Sequence, residues 1–254
     1  MELTLQTFLI VCPFLFLAGL VDAIGGGGGL ISLPAYLLAG LPPHAAIATN
    51  KMSSTCGTTV ATVRMIKKGL VNFKLAIPSV VFAVCGSSIG ARLSLMVDDK
   101  IMTYVVVLIL PVSAFLVMNR KLFNDEGTRE VSMDKRTVLT ALIAAFVIGM
   151  YDGFYGPGTG TFLMLLLTAV AHISLNEAAG TTKVINLSTN FAALAVFLVH
   201  GVVWFPLALV AAVFGIAGNY IGANYFTSKG TGFVKPVIIV VLTIFFIKIC
   251  YELI

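Results

Sequence analysis

The chain has 254 residues, of which 59% are hydrophobic and only 11% are charged, and its formal net charge is +5. Because a soluble domain carries roughly 25% charged residues, this composition excludes a protein with a water-facing polar surface. Apolar runs long enough to cross a bilayer recur from end to end, which predicts a multi-pass membrane protein without a separate soluble domain. Lys and Arg gather at the ends of predicted loops, as they do on the cytoplasmic side of membranes, so the positive charge does not indicate nucleic-acid binding.

The apolar runs fall into two halves on either side of one long polar segment. The first half, 1–118, contains runs 4–24, 28–41, 45–66, 72–95 and 101–118. The second half, 136–254, contains runs 136–154, 159–171, 177–199, 203–226 and 233–253. We interpret residues 119–135 as a polar cytoplasmic linker. The prediction is an all-α integral membrane protein made of two five-segment repeats.

The two halves also match residue by residue. An offset of 132 aligns Lys51 with Lys183, and an offset of 130 aligns Asp22 with Asp152. The offset of 132 further aligns Thr49 with Thr181, Gly69 with Gly201, Gly86 with Gly218, and Gly90 with Gly222. So many matches at nearly one offset indicate an internal duplication.

The orientation of the repeats depends on runs 28–41 and 159–171, since each is shorter than the roughly 20 residues that span a bilayer unassisted. If each run counts as a crossing, the second repeat is inverted relative to the first. The basic residues of 67–74, 119–136 and 227–235 then face one side, and the loop 200–204, which lacks Lys and Arg, faces the other. The positive-inside rule therefore favours inverted repeats with both termini outside.

Each repeat interrupts its first membrane helix with glycines. The segment Asp22–Gly29 reads D-A-I-G-G-G-G-G, and Tyr155–Gly160 reads Y-G-P-G-T-G. Glycine costs roughly 1 kcal/mol per residue in a helix interior relative to Ala, and unwound backbone at membrane depth survives only where protein or water surrounds it. Two helices that begin at such breaks would form an anion site from their free N–H groups, and a simple hinge or a tight helix–helix contact is the alternative. The candidate binding residues here are Gly25, Gly26, Gly27, Gly28, Gly156, Gly158 and Thr159.

A lysine occupies the same place in the third run of each repeat. A central lysine costs about 3 kcal/mol on insertion scales, so it normally faces a cavity or a counter-charge. We predict that Lys51 and Lys183 are counter-ions for a small oxyanion, with polar neighbours on the same helices. The alternative left open by the sequence is a structural ion pair with Asp22 and Asp152. The polar neighbours added to the candidate site are Asn50, Ser54, Thr182 and Asn186.

Asp22 and Asp152 come just before the two glycine breaks. A carboxyl group in an apolar site can carry a proton, so both are candidate proton carriers. A permanent charge partner or a cap for the broken helix explains them equally well. The three histidines show no metal-ligand spacing, the nucleotide-binding glycine patterns are absent, and no acid and histidine share an apolar helix face. We therefore expect no metal, no cofactor and no enzymatic activity.

The two glycine segments, together with A-T-N-K-M, resemble the sulfite exporter TauE/SafE family, and its YfcA-like branch most closely. The resemblance covers essentially the whole chain. It implies a permease of the bacterial inner membrane that exports a small sulfur-containing anion such as sulfite or an organosulfonate. The family signatures fall on Asp22, Gly25–Gly29, Asn50, Lys51, Asp152, Gly156, Pro157, Gly158 and Lys183.

The expected partners are a small anionic substrate and the lipid bilayer, with protons as a candidate coupling ion and no nucleic acid. Whether copies of the chain form a homo-oligomer is open. A passive small-anion channel and a structural membrane subunit are the alternatives to a secondary transporter. Asn50 is replaced by Thr182 in the second repeat and Ser54 by Asn186, so we expect the site to be only pseudo-symmetric.

Overall fold

The computed structural model describes residues 4–119, 134–225 and 234–253, and in these ranges the chain is helical without strands. The prediction of an all-α protein is confirmed. The ten helices are α1 (Leu5–Gly25), α2 (Gly29–Leu38), α3 (Pro43–Lys67), α4 (Phe73–Leu95), α5 (Asp99–Met118), α6 (Lys135–Phe154), α7 (Thr159–Ala169), α8 (Leu175–Val199), α9 (Phe205–Tyr225) and α10 (Val234–Leu253).

Within the described residues, six helices are long and apolar enough to cross a membrane, namely α1, α4, α5, α6, α8 and α9. This confirms a multi-pass membrane protein. Helix α3 is as long as α8, at 25 residues, but it carries many Thr and Ser side chains besides Lys51. Helices α2 and α7 have 10 and 11 residues. At 1.5 Å per residue each is about 15 Å long, roughly half of the hydrocarbon core.

A glycine follows the third helix of each half. Gly69 follows α3 with φ 70°, and Gly201 follows α8 with φ 67°. Leu70 N donates to Met65 O, which closes the six-residue hydrogen bond of a Schellman motif. These left-handed positions suit glycine because a Cβ would be strained there.

The first glycine break is shorter than the sequence predicted. Helix α1 includes Gly25 as its last residue and α2 begins at Gly29, so only three of the five glycines, Gly26–Gly28, lie between the two helices. Gly26 N donates to Asp22 O, which extends the helical hydrogen bonding past the acid. Lys135, assigned to the linker from the sequence, is the first residue of α6. The rest of the predicted linker lies outside the described residues, apart from Asn119 and the N-cap Asp134.

Close helix packing holds the two halves together. Helix α4 packs on α6, and α1 packs on α9. A Cβ added at Gly90 would lie 1.9 Å from Met150 O, and one at Gly218 would lie 2.0 Å from Phe16 O. The backbones therefore touch where the sequence has small residues. The segment Gly86–Gly90 also reads G-x-S-x-G, but it lies inside α4 and not on the strand–turn–helix of a hydrolase.

Candidate functional site

Lys51 of α3 forms an ion pair with an acid from the other half of the chain. Its Nζ lies 2.7 Å from Asp152 Oδ2, and each side chain is only 3% exposed. Lys51 Nζ also donates to Asn190 Oδ1 at 3.1 Å. Thr159 Oγ1 donates to Asp152 Oδ1 at 2.7 Å. Because buried charges are tolerated only when they are paired and hydrogen-bonded, these contacts account for the burial of both groups.

The second lysine forms the reciprocal pair. Lys183 Nζ lies 2.7 Å from Asp22 Oδ2, and it donates to Asp22 O at 2.6 Å. The lysine side chain is 5% exposed and the aspartate side chain 16%. Each lysine is therefore neutralised by the aspartate that precedes the glycine break of the opposite half. These two contacts are called the crossed ion pairs below.

The two glycine breaks touch each other between the crossed ion pairs. A Cβ at Gly26 would lie 2.9 Å from the carbonyl carbon of Gly160, and the Thr161 hydroxyl donates to Gly26 O. Gly156 has φ 100°, and a Cβ there would lie 3.1 Å from Lys51 Nζ. Glycine is thus required at Gly156 both by backbone conformation and by the approach of the ammonium group.

A cavity of about 50 Å³ lies among the crossed ion pairs and the glycine breaks. At ≳10–15 Å³ per water molecule, this volume suits a few waters or one small ion, whereas drug-sized ligands need roughly 300 Å³ or more. The predicted site residues that line the cavity are Asp22, Gly27, Gly28, Asn50, Lys51, Ser54, Asp152, Gly156, Gly158, Thr159 and Asn186.

Not every predicted residue reaches the cavity. Gly26 is buried in the contact with Gly160, and Lys183 reaches the cavity wall only through its pair with Asp22. Thr182 is 3% exposed, and its hydroxyl has no hydrogen-bond partner among the described residues. Gly25 is the last residue of α1.

Several cavity residues were missed from the sequence. Asn190 follows Asn186 by one helical turn, so the spacing of polar residues on α8 could have identified it. Asn219 lies in the segment Gly218–Gly222, whose glycines pack against α1, and its helix offers no comparable pattern of polar residues. The other missed polar residues are Ser32, Ser53 and Thr58.

The site combines two neutralised ion pairs with the N-termini of two helices. The crossed ion pairs sum to zero formal charge. Helix α2 begins at Gly29 and α7 at Thr159, and both residues line the cavity. The positive ends of two helix dipoles therefore lie at the cavity wall, where they favour negative charge.

The chain shows similarity to known proteins along nearly its whole length. The family model described as sulfite exporter TauE/SafE matches residues 11–249. A Sinorhizobium sp protein named probable membrane transporter protein ORF9 is 33% identical over 93% of this chain and 89% of its own length. A Haemophilus influenzae protein named probable membrane transporter protein is 30% identical, over 99% and 98%. The Escherichia coli K12 protein named YfcA is 29% identical, over 98% and 94%.

No solved structure shows significant similarity to the chain. The family match nevertheless covers far more than half of the sequence, and each of these relatives is named as a membrane transporter. Together with the membrane helices and the charged cavity, these findings show that the chain belongs to the sulfite exporter TauE/SafE family of membrane transporters.

Proposed function

We infer that the protein is a secondary transporter that exports a small sulfur-containing anion, such as sulfite or an organosulfonate, through the central cavity. The observation that carries this proposal is the pair of crossed ion pairs at the cavity between the two glycine breaks. Buried ionisable groups in membrane helices usually mark a substrate or ion pathway. The class of anion and the direction follow the family description, which names sulfite export.

We further propose that the halves 1–118 and 136–254 are inverted repeats joined by the linker 119–135. Lys51 lies beside Asn190, whereas Thr62, farther along α3, donates to Lys183 O, which is earlier on α8. Helices α3 and α8 therefore run in opposite directions, although they occupy equivalent places in the two repeats. Such an arrangement supports alternating access around a fixed central site.

The distribution of basic residues supports one orientation in the bacterial inner membrane. Helices α4 and α6 run in the same direction, because Gly86 approaches Phe146 while Gly90 approaches Met150. The start of α4 and the start of α6 therefore lie on the same side of the membrane. We assign this side to the cytoplasm and both termini to the outside. Its basic residues are Lys67, Lys68, Lys74, Lys135 and Arg136.

The charge of the site supports proton coupling as part of this proposal. Two unit charges 4 Å apart interact by about 4 kcal/mol at an effective dielectric constant of 20, so an anion beside a charged Asp22 would be strongly repelled. A proton on Asp22 would remove this repulsion and give the four-group cluster a net charge of +1. Of the two aspartates, Asp22 is the more exposed at 16%, and Asp152 also binds Thr159. We therefore assign the coupling proton to Asp22, which takes up one proton for each anion bound.

The small volume of the cavity favours a transporter over the alternative of a passive channel. The backbone contact between Gly26 and Gly160 lies next to the cavity, and no wide water-filled path is needed to solvate the buried charges, since each is paired. In proteoliposomes loaded with unlabelled anion, a transporter accumulates labelled anion by counterflow. A channel would only equilibrate it.

The central test is anion binding to purified protein, measured as a shift of thermal unfolding with sulfite, thiosulfate, sulfate, taurine, sulfoacetate and simple carboxylates. We expect stabilisation by a subset of these anions, and no stabilisation in the Lys51→Ala variant. If Lys51→Ala bound and transported anions like the wild type, the lysine would have only a structural role. The Arg64→Gln variant is a matched control, because Arg64 on α3 contacts α9 and lies outside the cavity lining.

A further inference from the structure

The side chain of Asn219 on α9 lies in the cavity wall, and its amide nitrogen contacts three glycines. Its Nδ2 donates to Gly215 O at 3.0 Å. A Cβ at Gly19 would lie 2.9 Å from this nitrogen, and a Cβ at Gly57 would lie 2.5 Å from it. Any side chain at Gly19 or Gly57 would therefore displace the amide. Helices α1, α3 and α9 leave room at their junction for this one polar group.

The oxygen of the same amide has no partner of its own. Asn219 is 4% exposed and lines the cavity, and its Oδ1 accepts no hydrogen bond from any of the described residues. The orientation of the amide is determined, because Gly215 O can only accept and so requires the nitrogen. Buried acceptors in native proteins normally receive a hydrogen bond, since an unpaired one is costly. The site therefore presents an acceptor that a ligand can satisfy.

The first repeat lacks this feature. Ser87 occupies the position equivalent to Asn219, and its hydroxyl donates to Thr189 O at 2.6 Å. Ser87 does not line the cavity, and Ala83 stands where the second repeat has Gly215. Duplication alone thus does not explain the asparagine.

A second unpaired polar group lies in the same cavity wall. Ser32, in the first turn of α2, is 2% exposed, and its hydroxyl has no hydrogen-bond partner within the described part of the chain. A hydroxyl can donate to an anionic oxygen or accept from a ligand donor. Ser32 can therefore donate a hydrogen bond to the anionic end of a ligand or accept one from an O–H or N–H group at its other end.

We propose that Asn219 is a specificity residue that selects small oxyanions bearing an additional O–H or N–H group. The anionic end is bound by Lys51 and the helix N-termini, and the O–H or N–H group donates to Asn219 Oδ1. The proposal rests on the proposed function, since it assumes that the central cavity is the anion site. It narrows the substrate class to oxyanions that carry a hydroxyl, an amino group or a protonated oxygen.

The experiment compares anions that match in size and charge but differ in the donor. The pairs are glycolate with propionate, and 2-hydroxyethanesulfonate with 1-propanesulfonate, each titrated into the full-length purified protein with thermal unfolding as readout. We expect the wild type to bind the hydroxylated member about tenfold to a hundredfold more tightly, because the other member leaves the acceptor unpaired. In Asn219→Leu the preference should fall to about threefold or less, while binding of the non-hydroxylated member is kept.

Two further variants distinguish a lost preference for the hydroxylated anion from a loss of folding. Asn219→Ser introduces the side chain that the first repeat carries, and because its oxygen is one carbon closer to the backbone it should not reach the ligand; the preference should be lost while the protein unfolds near the wild-type temperature. Ser87→Ala should keep the preference. Equal binding of both members by the wild type, or a preference that persists in both Asn219 variants, would overturn the proposal.

The outcome also separates this proposal from the proposed function. Anion binding that requires Lys51 but shows no preference for the donor overturns the role of Asn219 alone. If no anion of either pair or of the wider panel stabilises the wild type, or if Lys51→Ala binds equally well, the cavity is not the anion site and both proposals fail.

Discussion

The crossed ion pairs have the same chemistry but different surroundings. Lys51 and Asp152 are each 3% exposed, and each has a further side-chain partner, Asn190 for the lysine and Thr159 for the acid. In the other pair the Asp22 side chain is 16% exposed, and the additional acceptor for the lysine is the carbonyl oxygen of Asp22 itself.

This difference shows how a duplicated sequence can give two inequivalent sites. We call Lys51–Asp152 the enclosed pair. Its two additional partners, Thr159 and Asn190, are not repeated around the other pair, because the equivalent positions hold Gly29 and Thr58. A buried pair with extra hydrogen bonds resists separation, so Lys51 can contact an anion at the cavity while it stays paired, whereas the more exposed Asp22 can exchange its partner for a proton. We therefore expect the Lys51 pair to hold the site together and Asp22 to respond to the ligand.

The largest expected effect is that of removing one lysine from the enclosed pair. Lys51→Ala leaves the Asp152 carboxylate buried without a cation, which should lower the free energy of unfolding by about 3–5 kcal/mol and abolish anion binding. Lys183→Ala should cost less, because the cavity can hydrate Asp22. Thermal unfolding of both purified variants at one pH measures the difference.

The double variant Lys51→Ala/Asp152→Ala separates stability from binding. With both charges removed, most of the lost stability should return, whereas anion binding should not. A double variant that binds anions, or a Lys51→Ala protein as stable as the wild type, would contradict the assignment of Lys51.

The next effect concerns pH. If Asp22 takes up the coupling proton, anion binding by the wild type should strengthen as the pH falls. Asp22→Asn raises the charge of the two ion pairs by one and cannot take up a proton at this position, so its affinity should become independent of pH and stay near the low-pH value of the wild type. Titrations of one anion at several pH values measure this.

Asp152→Asn is the matched control for the pH experiment. It also raises the charge of the cluster by one, but it leaves Asp22 free to bind a proton, so binding should still strengthen at low pH. Equal pH dependence in the wild type and in Asp22→Asn would remove Asp22 from the coupling mechanism.

The sequence predicted the helices and the charged residues better than their contacts. The equivalence of Lys51 with Lys183 follows from an offset, but an offset does not reveal which acid meets which lysine. That pairing depends on how α3 and α8 cross. Asn219 was missed for the same reason, because only the packing of α1 and α3 against α9 makes its amide part of the cavity. The exact end of α1 depends on the hydrogen bond from Gly26 N to Asp22 O, which composition does not indicate.

A smaller effect is expected where a glycine approaches the enclosed pair. Gly156→Ala places a Cβ about 3 Å from Lys51 Nζ at a left-handed position, so it combines a backbone cost of about 1–2 kcal/mol with displacement of the ammonium group. We expect reduced anion affinity as well as lower stability. Gly69→Ala is the control, because Gly69 has φ 70° and nothing within 4 Å of the added Cβ. It should lose similar stability with unchanged affinity, and equal affinities in the two variants would show that Gly156 has no role in the site.

The smallest changes in stability are expected at a loop contact that is the same in both halves. Trp204 N donates to Thr49 Oγ1 at 3.1 Å, and Asn72 N donates to the equivalent Thr181 Oγ1 at 3.2 Å. Valine has nearly the same shape as threonine but lacks the Oγ1 acceptor. Thr49→Val and Thr181→Val should therefore each lower the free energy of unfolding by about 1 kcal/mol, or the unfolding temperature by roughly 2–4 °C. Equal shifts would mean that the loops before α4 and α9 are held to α8 and α3 in the same way in both halves. Unequal shifts would mean that the asymmetry extends to the loops that hold α3 and α8, and the difference between the two ion pairs would then reflect the packing of whole repeats rather than Thr159 and Asn190.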